Sequence, residues 1–362
     1  MFDLPQINTR MSETRPVRQG EEIDEHRLLD FLRSSRGTGG RELTVEQFPA
    51  GSSNLTYLVR LRDADYVLRR PPFGNTVKSA HDMKREFDVL SKLSAVYAPA
   101  PKPSLFCDDL SVIGSEFYLM ERRHGLIIRG ALPDSWTHVG SLRPDDVCRS
   151  FIQNLADLHS LDLGQAGLES LGHADGYNRR QIEGWTKRYA AAKTHEHAEL
   201  ESAIEWLTSN IPAESGAALI HNDYKFDNIM LDPSDLTKVT AVLDWEMVTV
   251  GDPLMDLGTT LGYWMSIDAP GELLDMPFNP RAFMENISRR DLVDMYAESV
   301  GRAVPDMLFY YVFGTFKIAV IAQQIYARYV KGFTRDARFA AFDNFVAALG
   351  HIATAAINRR TI

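Results

Sequence analysis

The sequence predicts an α+β fold with two lobes: a small N-lobe with one antiparallel sheet and one helix, and a larger, mostly helical C-lobe. Short runs in the first third of the chain (LTVEQFPA, NLTYLVRLR, DYVLRR) alternate or are β-branched, which is typical of strands. From about residue 133 apolar residues recur at helical spacing. We therefore expect a polar, mobile leader over residues 1–20, an N-lobe over residues 21–122 and a C-lobe over residues 123–362.

The N-lobe elements follow one another along the chain. Turn residues separate the strand-like runs, and the stretch KSAHDMKREFDVLSKLS then predicts the helix of this lobe. Its apolar stripe consists of Met83, Phe87, Leu90 and Leu93. Prolines end the helix, and GSEFYLMERRHG predicts one more strand.

The C-lobe is predicted to be helical apart from two short strands, AALI and KVTAVLDW. DDVCRSFIQNLADLHSLD carries an apolar face at helical spacing. The most apolar stretch, FYYVFGTFKIAVIAQQIYARY, contains Lys317 and two glutamines, so we interpret it as a buried helix and not as a membrane span.

Composition limits the possible partners. The 362 residues carry a formal net charge of −10, and residues 131–250 hold 19 acidic against 9 basic residues. No basic face emerges, so we expect neither a nucleic-acid nor a membrane partner. The first twenty residues lack the apolar core of a secretory signal, and Cys107 and Cys148 fit no metal spacing, which favours a cytoplasmic setting.

The most informative stretch is ALIHNDYKFDNIML, in which an apolar strand runs into a polar loop. A surface turn is one interpretation, and a catalytic loop is the other. Asn228 and Asp244 lie about 16 residues apart, which suits a hairpin that brings them side by side. Their oxygens suit Mg²⁺, and Asp223 is left to accept a proton from a hydroxyl, which is the arrangement of phosphoryl transfer.

HNDYKFDN followed by VLDWEMVTVGDPLMDLG resembles the paired signature of the aminoglycoside phosphotransferase family, whose fold is protein-kinase-like. The resemblance extends over roughly residues 40–350: GSSNLTYLV is similar to the family's glycine loop, FYLMERRHG to its hinge and LADLHSLD to its core helix. The nearest subgroup contains domains that stand alone or are fused to acyl-CoA dehydrogenases.

The resemblance implies that Asp223 is the catalytic carboxylate and that Asn228 and Asp244 hold Mg²⁺. Lys225 either stabilises the transferring phosphate or is a surface lysine, and Glu246 either assists a second ion or is simply solvated.

Other polar residues of the same region are expected to have structural roles. His221 is expected to brace the loop through hydrogen bonds, and His159 to lie in the core or to brace the loop in the same way. Asp252 and Asp256 are expected to cap a helix or to tie down the loop.

Glu86 lies on the inward stripe of the N-lobe helix, where a carboxylate is costly unless it is paired. Protein kinases provide a lysine on the third strand, but here Arg69 occupies that place. Arginine can pair with Glu86 and need not reach the phosphates. Either Arg69 clamps the nucleotide phosphates or the protein binds nucleotide weakly.

The remaining ATP contacts are expected from two stretches of the N-lobe. These are Gly51, Ser52, Ser53 and Asn54 in place of a glycine loop, and Met120, Glu121 and Arg122 near the adenine. The first stretch contains a single glycine, so on its own it would be an ordinary hairpin turn.

We therefore predict an ATP- and Mg²⁺-dependent phosphotransferase that acts on a hydroxyl of a small molecule, such as a hydroxyacyl-CoA or a hydroxy acid. The alternatives are an aminoglycoside 3'-type kinase and a nucleotide-binding module with little or no turnover. A protein kinase fits poorly, because Asp244 and Asp256 are only 12 positions apart, which leaves no room for an activation loop. The sequence leaves the acceptor, the nucleotide preference and the oligomeric state open.

Overall fold

In the computed structural model the chain forms two compact units. The first comprises Met1–Ser94 and Ala100–Arg123, and the second comprises Ala95–Pro99 and His124–Ile362. The structure describes residues 13–36, 42–49, 54–62, 64–73, 82–130, 143–265, 269, 271–274, 276, 278, 280–334 and 337–362. Gly51, Ser52 and Ser53, and residues 1–12 of the predicted leader, lie outside these described residues.

The first unit contains an antiparallel sheet of five strands in the order β1-β2-β3-β5-β4. Their bounds are β1 Leu43–Gln47, β2 Leu55–Leu61, β3 Ala64–Arg70, β4 Pro103–Cys107 and β5 Phe117–Glu121. The alternation seen in the sequence fixes the register, because Tyr57 and Val59 of β2 and Leu68 of β3 are fully buried in one cluster. Strand β4, which follows the prolines, was not among the predicted strands.

Helices cover this sheet. They are α1 Glu25–Arg36, α2 Met83–Leu93 and α3 Leu110–Ile113, so the described part of the unit holds more than the single helix predicted. Asp82 caps α2 by accepting a hydrogen bond from the Arg85 N–H at 2.8 Å. Of the predicted stripe, Met83, Leu90 and Leu93 are buried, and Phe87 is half-buried against aromatic neighbours.

The described end of the predicted leader pairs with the sheet. The backbones of Arg15 and Gln47 exchange hydrogen bonds of 2.9 and 2.8 Å, and Thr14 is buried. Residues 13–15 therefore extend the ladder at β1.

The second unit is mostly helical. Its helices are α4 Pro144–His159, α5 Leu163–Ala166, α6 Tyr177–Ala192, α7 Ala198–Ser209, α8 Pro253–Tyr263, α9 Gly271–Leu274, α10 Arg281–Met284, α11 Arg289–Val300, α12 Leu308–Val330 and α13 Phe342–Arg359. Close backbone packing sets α8 against α12, where a side chain on Gly258 would collide with the Tyr310 carbonyl group at 2.3 Å.

Two small antiparallel ladders interrupt the helices. Strand β6 (Ala218–Ile220) pairs with β9 (Thr249–Gly251), and β7 (Ile229–Asp232) pairs with β8 (Asp235–Val242). Strands β6 and β8 correspond to the two predicted runs, whereas the short β7 and β9 carried no separate sequence signal.

Two helices in the described residues are long and apolar enough to cross a membrane by length and composition, Leu308–Val330 and Ala337–Arg359. In the first of these, 83% of the most apolar window is buried inside the fold, as expected for a core helix. In the second the buried share is 33%.

Candidate active site

The two small ladders of the second unit bring two loops together. One loop, residues 221–228, leaves β6 and enters β7, and the other, residues 243–248, leaves β8 and enters β9. Ile220 lies opposite Thr249 in one ladder and Ile229 opposite Val242 in the other. In addition, the Leu243 N–H donates to the Asn228 carbonyl at 2.8 Å. The hairpin predicted to place Asn228 beside Asp244 is therefore present.

The Asp223 carboxylate lies at the centre of this loop and accepts side-chain hydrogen bonds on both oxygens. Lys225 Nζ donates to Oδ2 at 2.7 Å and Asn228 Nδ2 donates to the same oxygen at 2.9 Å. Tyr263 Oη donates to Oδ1 at 2.6 Å. These short bonds to a charged acceptor fix the orientation of the carboxylate.

The charge state of Asp223 follows from this environment. Burial alone would raise the pKa of Asp223, but the Lys225 ammonium and the Tyr263 hydroxyl outweigh it and lower that pKa below its usual value. For Lys225 burial acts to lower the pKa, and the Asp223 carboxylate reverses this and raises it. The two groups are therefore a charged pair at neutral pH.

His221 braces the loop, as predicted. Its Nδ1 lies 3.2 Å from the Asp223 backbone N–H, which can only donate, so Nδ1 is the acceptor and Nε2 carries the proton. Nε2 accordingly donates to the Leu243 carbonyl at 2.9 Å. Burial lowers the pKa of His221, which agrees with this neutral ring.

Asp256 ties the loop to α8. Its carboxylate accepts the backbone N–H groups of His221 and Asn222, each at 2.7 Å, and lies 3.1 Å from His159 Nε2. Burial acts to raise the pKa of Asp256, but His159 and His221 lower it overall. The structural roles expected of Asp256 and His159 are thus observed.

Asp252 caps α8, as predicted for one of the two aspartates. It accepts the Leu254 N–H at 2.9 Å and is also bonded by Asn178 Nδ2 at 3.0 Å and by the Ser215 N–H at 3.1 Å. The carboxylate is fully buried, and these donors compensate for its burial.

Lys317 and Asn222 belong to the same network, and sequence reasoning gave neither of them a role in the site. Asn222 has a φ of 68°, in the left-handed region, and its carbonyl accepts Lys317 Nζ of α12 at 2.6 Å. Burial lowers the pKa of Lys317 to about 8 despite the carboxylates of Asp256 and Asp223. The signal was available, because a charged residue inside the most apolar helix of the chain requires a polar partner.

Asn228 and Asp244 fit Mg²⁺ by the chemistry of their donor atoms. The Asn228 amide nitrogen bonds both the Asp223 carbonyl and the Asp223 carboxylate at 2.9 Å, so its amide oxygen is the atom left for a ligand. Asp244 adopts a φ of 65°, in the left-handed region, at the N-cap of the 3-10 turn that follows β8. An amide oxygen and a carboxylate are hard ligands of the kind that Mg²⁺ prefers.

In the first unit, Arg69 of β3 and Glu86 of α2 form the predicted pair. Arg69 Nε lies 3.4 Å from Glu86 Oε1, and the two side chains are 10% and 3% exposed. Asn54, which directly precedes β2, is buried. The companion residues Gly51, Ser52 and Ser53 lie outside the described residues, so Asn54 alone represents the predicted phosphate loop here.

The predicted adenine-binding stretch, residues 120–122, lies at the end of β5. Met120 is paired within the sheet, and the Glu121 N–H already donates to the Lys102 carbonyl at 2.9 Å. Arg122 bonds Asp65 at 2.6 Å and Glu13 at 3.0 Å. The side chain of Arg122 therefore holds the strand end to its neighbours.

A five-stranded sheet unit, a helical unit and an H-x-D-x-x-x-x-N loop beside a second aspartate together define a phosphotransferase of the kinase-like fold. The family model described as the phosphotransferase enzyme family matches residues 44–278. The chain belongs to this family, and it is a phosphotransferase enzyme.

Similar proteins agree with this assignment. A curated relative, acyl-CoA dehydrogenase family member 11 from Gallus gallus, is 37% identical over 296 residues, which are 80% of this chain and 37% of that protein. The chain thus spans well under half of the length of this relative. A crystal structure of a candidate aminoglycoside phosphotransferase from Ralstonia eutropha JMP134 has a TM-score of 0.74 at 30% identity, over 92% of this chain and 99% of the other.

A more distant structure shares the fold. It is a thermostable mutant of an aminoglycoside phosphotransferase in a ternary complex with ADP and hygromycin B, with a TM-score of 0.58 at 17% identity. The match covers 90% of this chain and 97% of that one.

Proposed function

We propose that this enzyme transfers the γ-phosphoryl group of ATP to a hydroxyl group of a small molecule, with Asp223 as the carboxylate that receives the hydroxyl proton. The hydroxyl oxygen forms a bond to the γ-phosphorus, the bond from that phosphorus to the bridging oxygen breaks, and ADP leaves with the electron pair. The hydroxyl proton passes to Asp223.

The observation that carries this proposal is the uneven use of the two Asp223 oxygens. Oδ2 accepts from both Lys225 and Asn228, whereas among the described residues Oδ1 accepts from Tyr263 alone. A carboxylate oxygen has two acceptor positions. Oδ1 therefore keeps one position for an acceptor hydroxyl. Because the pKa of Asp223 is lowered, the carboxylate is ionised and first orients this hydroxyl, and proton transfer accompanies phosphoryl transfer.

Charged and polar neighbours would complete the reaction centre. Lys225 holds its ammonium group against Asp223, where it can also face the oxygens of the transferring phosphoryl group. The Asn228 amide oxygen and the Asp244 carboxylate would hold Mg²⁺, which when bound neutralises charge on the phosphates. The buried Arg69–Glu86 pair of the first unit is proposed to serve nucleotide binding, together with Asn54.

For the acceptor we propose a hydroxyacyl thioester or a hydroxy acid. The curated relatives carry acyl-CoA dehydrogenase names, and this chain matches only a part of their length. A polycationic acceptor would require a carboxylate-rich pocket. Residues 251–362 are nearly neutral, with 12 acidic and 11 basic residues, so their composition favours a less polar acceptor.

An aminoglycoside acceptor is the second candidate. The acidic surplus of residues 131–250 favours a cationic substrate, and the distant structural neighbour holds hygromycin B. A nucleotide-binding module without turnover is the third candidate, and Arg69 in place of lysine is the feature that favours it.

A screen for ADP release separates the three candidates. Purified protein with Mg-ATP is offered hydroxyacyl-CoA derivatives, hydroxy acids and aminoglycosides, with Asp223→Asn run in parallel as the blank. We expect the wild type, but not Asp223→Asn, to release ADP when a hydroxyacyl compound is offered. ADP release that only aminoglycosides stimulate would support the second candidate, an aminoglycoside acceptor. Calorimetric binding of Mg-ATP without transfer to any acceptor would support the third.

A further inference from the structure

Two histidines and an aspartate form a cluster in the second unit that the phosphotransferase chemistry does not use. His195 and His197 lie in the segment between α6 and α7, and Asp343 lies in the first turn of α13. The Nε2 atoms of His195 and His197 are 3.2 and 3.4 Å from the same Asp343 oxygen, Oδ1. The ligand atoms of all three residues lie within 4.8 Å of one another.

We propose that the His195–His197–Asp343 cluster binds a divalent transition-metal ion of the zinc type. The spacing of the ligand atoms supports this. For a metal about 2.0–2.1 Å from each ligand in tetrahedral geometry, neighbouring ligand atoms are roughly 3.3 Å apart. The two observed separations bracket that value, whereas a charge-assisted hydrogen bond from histidine to carboxylate is shorter, about 2.7–2.9 Å.

Hydrogen bonding within the fold does not account for the cluster. Within the described ranges, neither His197 Nε2 nor Asp343 Oδ1 has a hydrogen-bond partner of good geometry, although both atoms are buried from solvent. His197 is the N-cap residue of α7, yet its side chain makes no capping bond to that helix. Buried polar atoms of this kind require a partner, and one bound cation would satisfy both.

The surrounding residues prepare the site for a metal. His195 Nδ1 lies 3.3 Å from the Thr194 hydroxyl, which orients the ring so that Nε2 is directed to Asp343. The nearby Lys193 ammonium is neutralised by Glu201 at 2.6 Å. His195 is half-exposed, so an ion can reach the cluster from solvent.

The ligand set selects the class of metal. Two imidazole nitrogens and one carboxylate suit Zn²⁺, Co²⁺ or Ni²⁺, whereas Mg²⁺ and Ca²⁺ prefer oxygen ligands. Three protein ligands leave a position for water. The bound ion would fasten the segment between α6 and α7 to the start of α13, so its expected effect is on stability.

The test uses the full chain without an affinity tag, treated with a chelator and then dialysed. Zn²⁺ is titrated by calorimetry in millimolar Mg²⁺, which occupies sites built from oxygen ligands, and melting is followed in parallel. We expect one Zn²⁺ per chain and a Tm that rises by a few degrees. Co²⁺ in place of Zn²⁺ should give the visible absorption of a tetrahedral centre.

Variants decide whether the cluster is responsible. His195→Gln should weaken Zn²⁺ binding at least tenfold, and His195→Gln with His197→Gln should abolish both binding and the Tm shift. His351→Gln is the matched control, because His351 on the same helix faces the single carboxylate of Glu199 at 2.9 Å. No binding by the wild type, or equal binding by the double variant, would overturn the proposal.

Discussion

Each unit of the molecule contains one nearly buried ion pair between residues of the predicted site, and the two pairs differ in how they are held. Arg69 Nε and Glu86 Oε1 are 3.4 Å apart in the first unit, and Lys225 Nζ and Asp223 Oδ2 are 2.7 Å apart in the second. The exposed fractions are similar, 10% and 3% against 16% and 14%.

The difference lies in the supports of each pair. Arg69 comes from a strand and Glu86 from a helix, so sheet–helix packing sets their separation. Asp223 and Lys225 come from one short loop, which Asp256 and His221 fix through backbone hydrogen bonds. A carboxylate held in this way keeps its charge at a defined point, which a catalytic group requires. A longer pair between two elements is suited to positioning those elements.

The largest expected effect comes from Asp223→Asn. The amide keeps the size of the side chain but cannot accept the hydroxyl proton, so we expect kcat to fall by about 10²- to 10⁴-fold. Mg-ATP affinity should change little. ADP release with the acceptor identified by the screen measures the first quantity and calorimetry the second.

Asp227→Asn is the control for this substitution. Asp227 lies in the same loop and pairs with Arg129, so its loss changes the charge of the loop without touching the carboxylate at the centre. Near-equal kcat values for Asp223→Asn and Asp227→Asn would show that the lost negative charge of the loop, and not the position of the Asp223 carboxylate, explains the fall in kcat.

Glu86→Ala is expected to have the next largest effect. It removes the carboxylate that pairs with the buried Arg69 guanidinium, and loss of one partner of a buried ion pair costs about 3–5 kcal/mol. The first unit should therefore unfold at lower urea concentration, and Mg-ATP affinity should fall with it. Asp88→Ala is the control on the exposed side of the same helix. Asp88 pairs with Lys84, and the side chains of Lys84 and Asp88 are 53% and 50% exposed. Loss of this exposed pair should change the free energy of unfolding by less than about 1 kcal/mol. Equal urea midpoints of unfolding for Glu86→Ala and Asp88→Ala would contradict the structural role assigned to the Arg69–Glu86 pair.

Lys225→Met tests the second pair from its cationic side. Asp223 keeps Asn228 and Tyr263 as donors, so we expect the fold to persist and kcat to fall by about tenfold or more. If instead Tm falls and kcat per folded molecule is unchanged, Lys225 is a structural residue, which was the other interpretation that the sequence allowed.

Sequence patterns predicted the elements with local signals and missed those that depend on tertiary contacts. The alternating strands and the polar loop after β6 follow from local patterns, and the cost of a buried carboxylate indicates that Glu86 needs a partner. The choice of Arg69 as that partner came from the resemblance to protein kinases, which place a lysine on the third strand. Strands β7 and β9 are too short to show a period, and they exist because their partners are paired beside them.

The same limit applies within the site. Tyr263 ends a helix that is buried on every side, so no periodicity separates it from core aromatics such as Trp264. Its hydroxyl reaches Asp223 across 40 positions of sequence. Lys317, in contrast, could have been identified, because a charge in the middle of an apolar helix requires a polar partner, which is the Asn222 carbonyl.

Tyr263→Phe gives the smallest expected effect and the sharpest test of how the loop holds Asp223. The hydroxyl contributes to lowering the pKa of Asp223, so its removal should raise that pKa. Because the ionised carboxylate is the active form, the acid limb of kcat/KM should move to higher pH, while kcat at neutral pH changes by less than about tenfold. The variant also leaves both acceptor positions of Oδ1 to the substrate, so KM for the acceptor should not rise. A profile that superimposes on that of the wild type would mean that Lys225 and Asn228 alone set the charge of Asp223. In that case the Asp223–Lys225 pair would differ from the Arg69–Glu86 pair because backbone hydrogen bonds hold its loop, and not because Tyr263 supports the carboxylate.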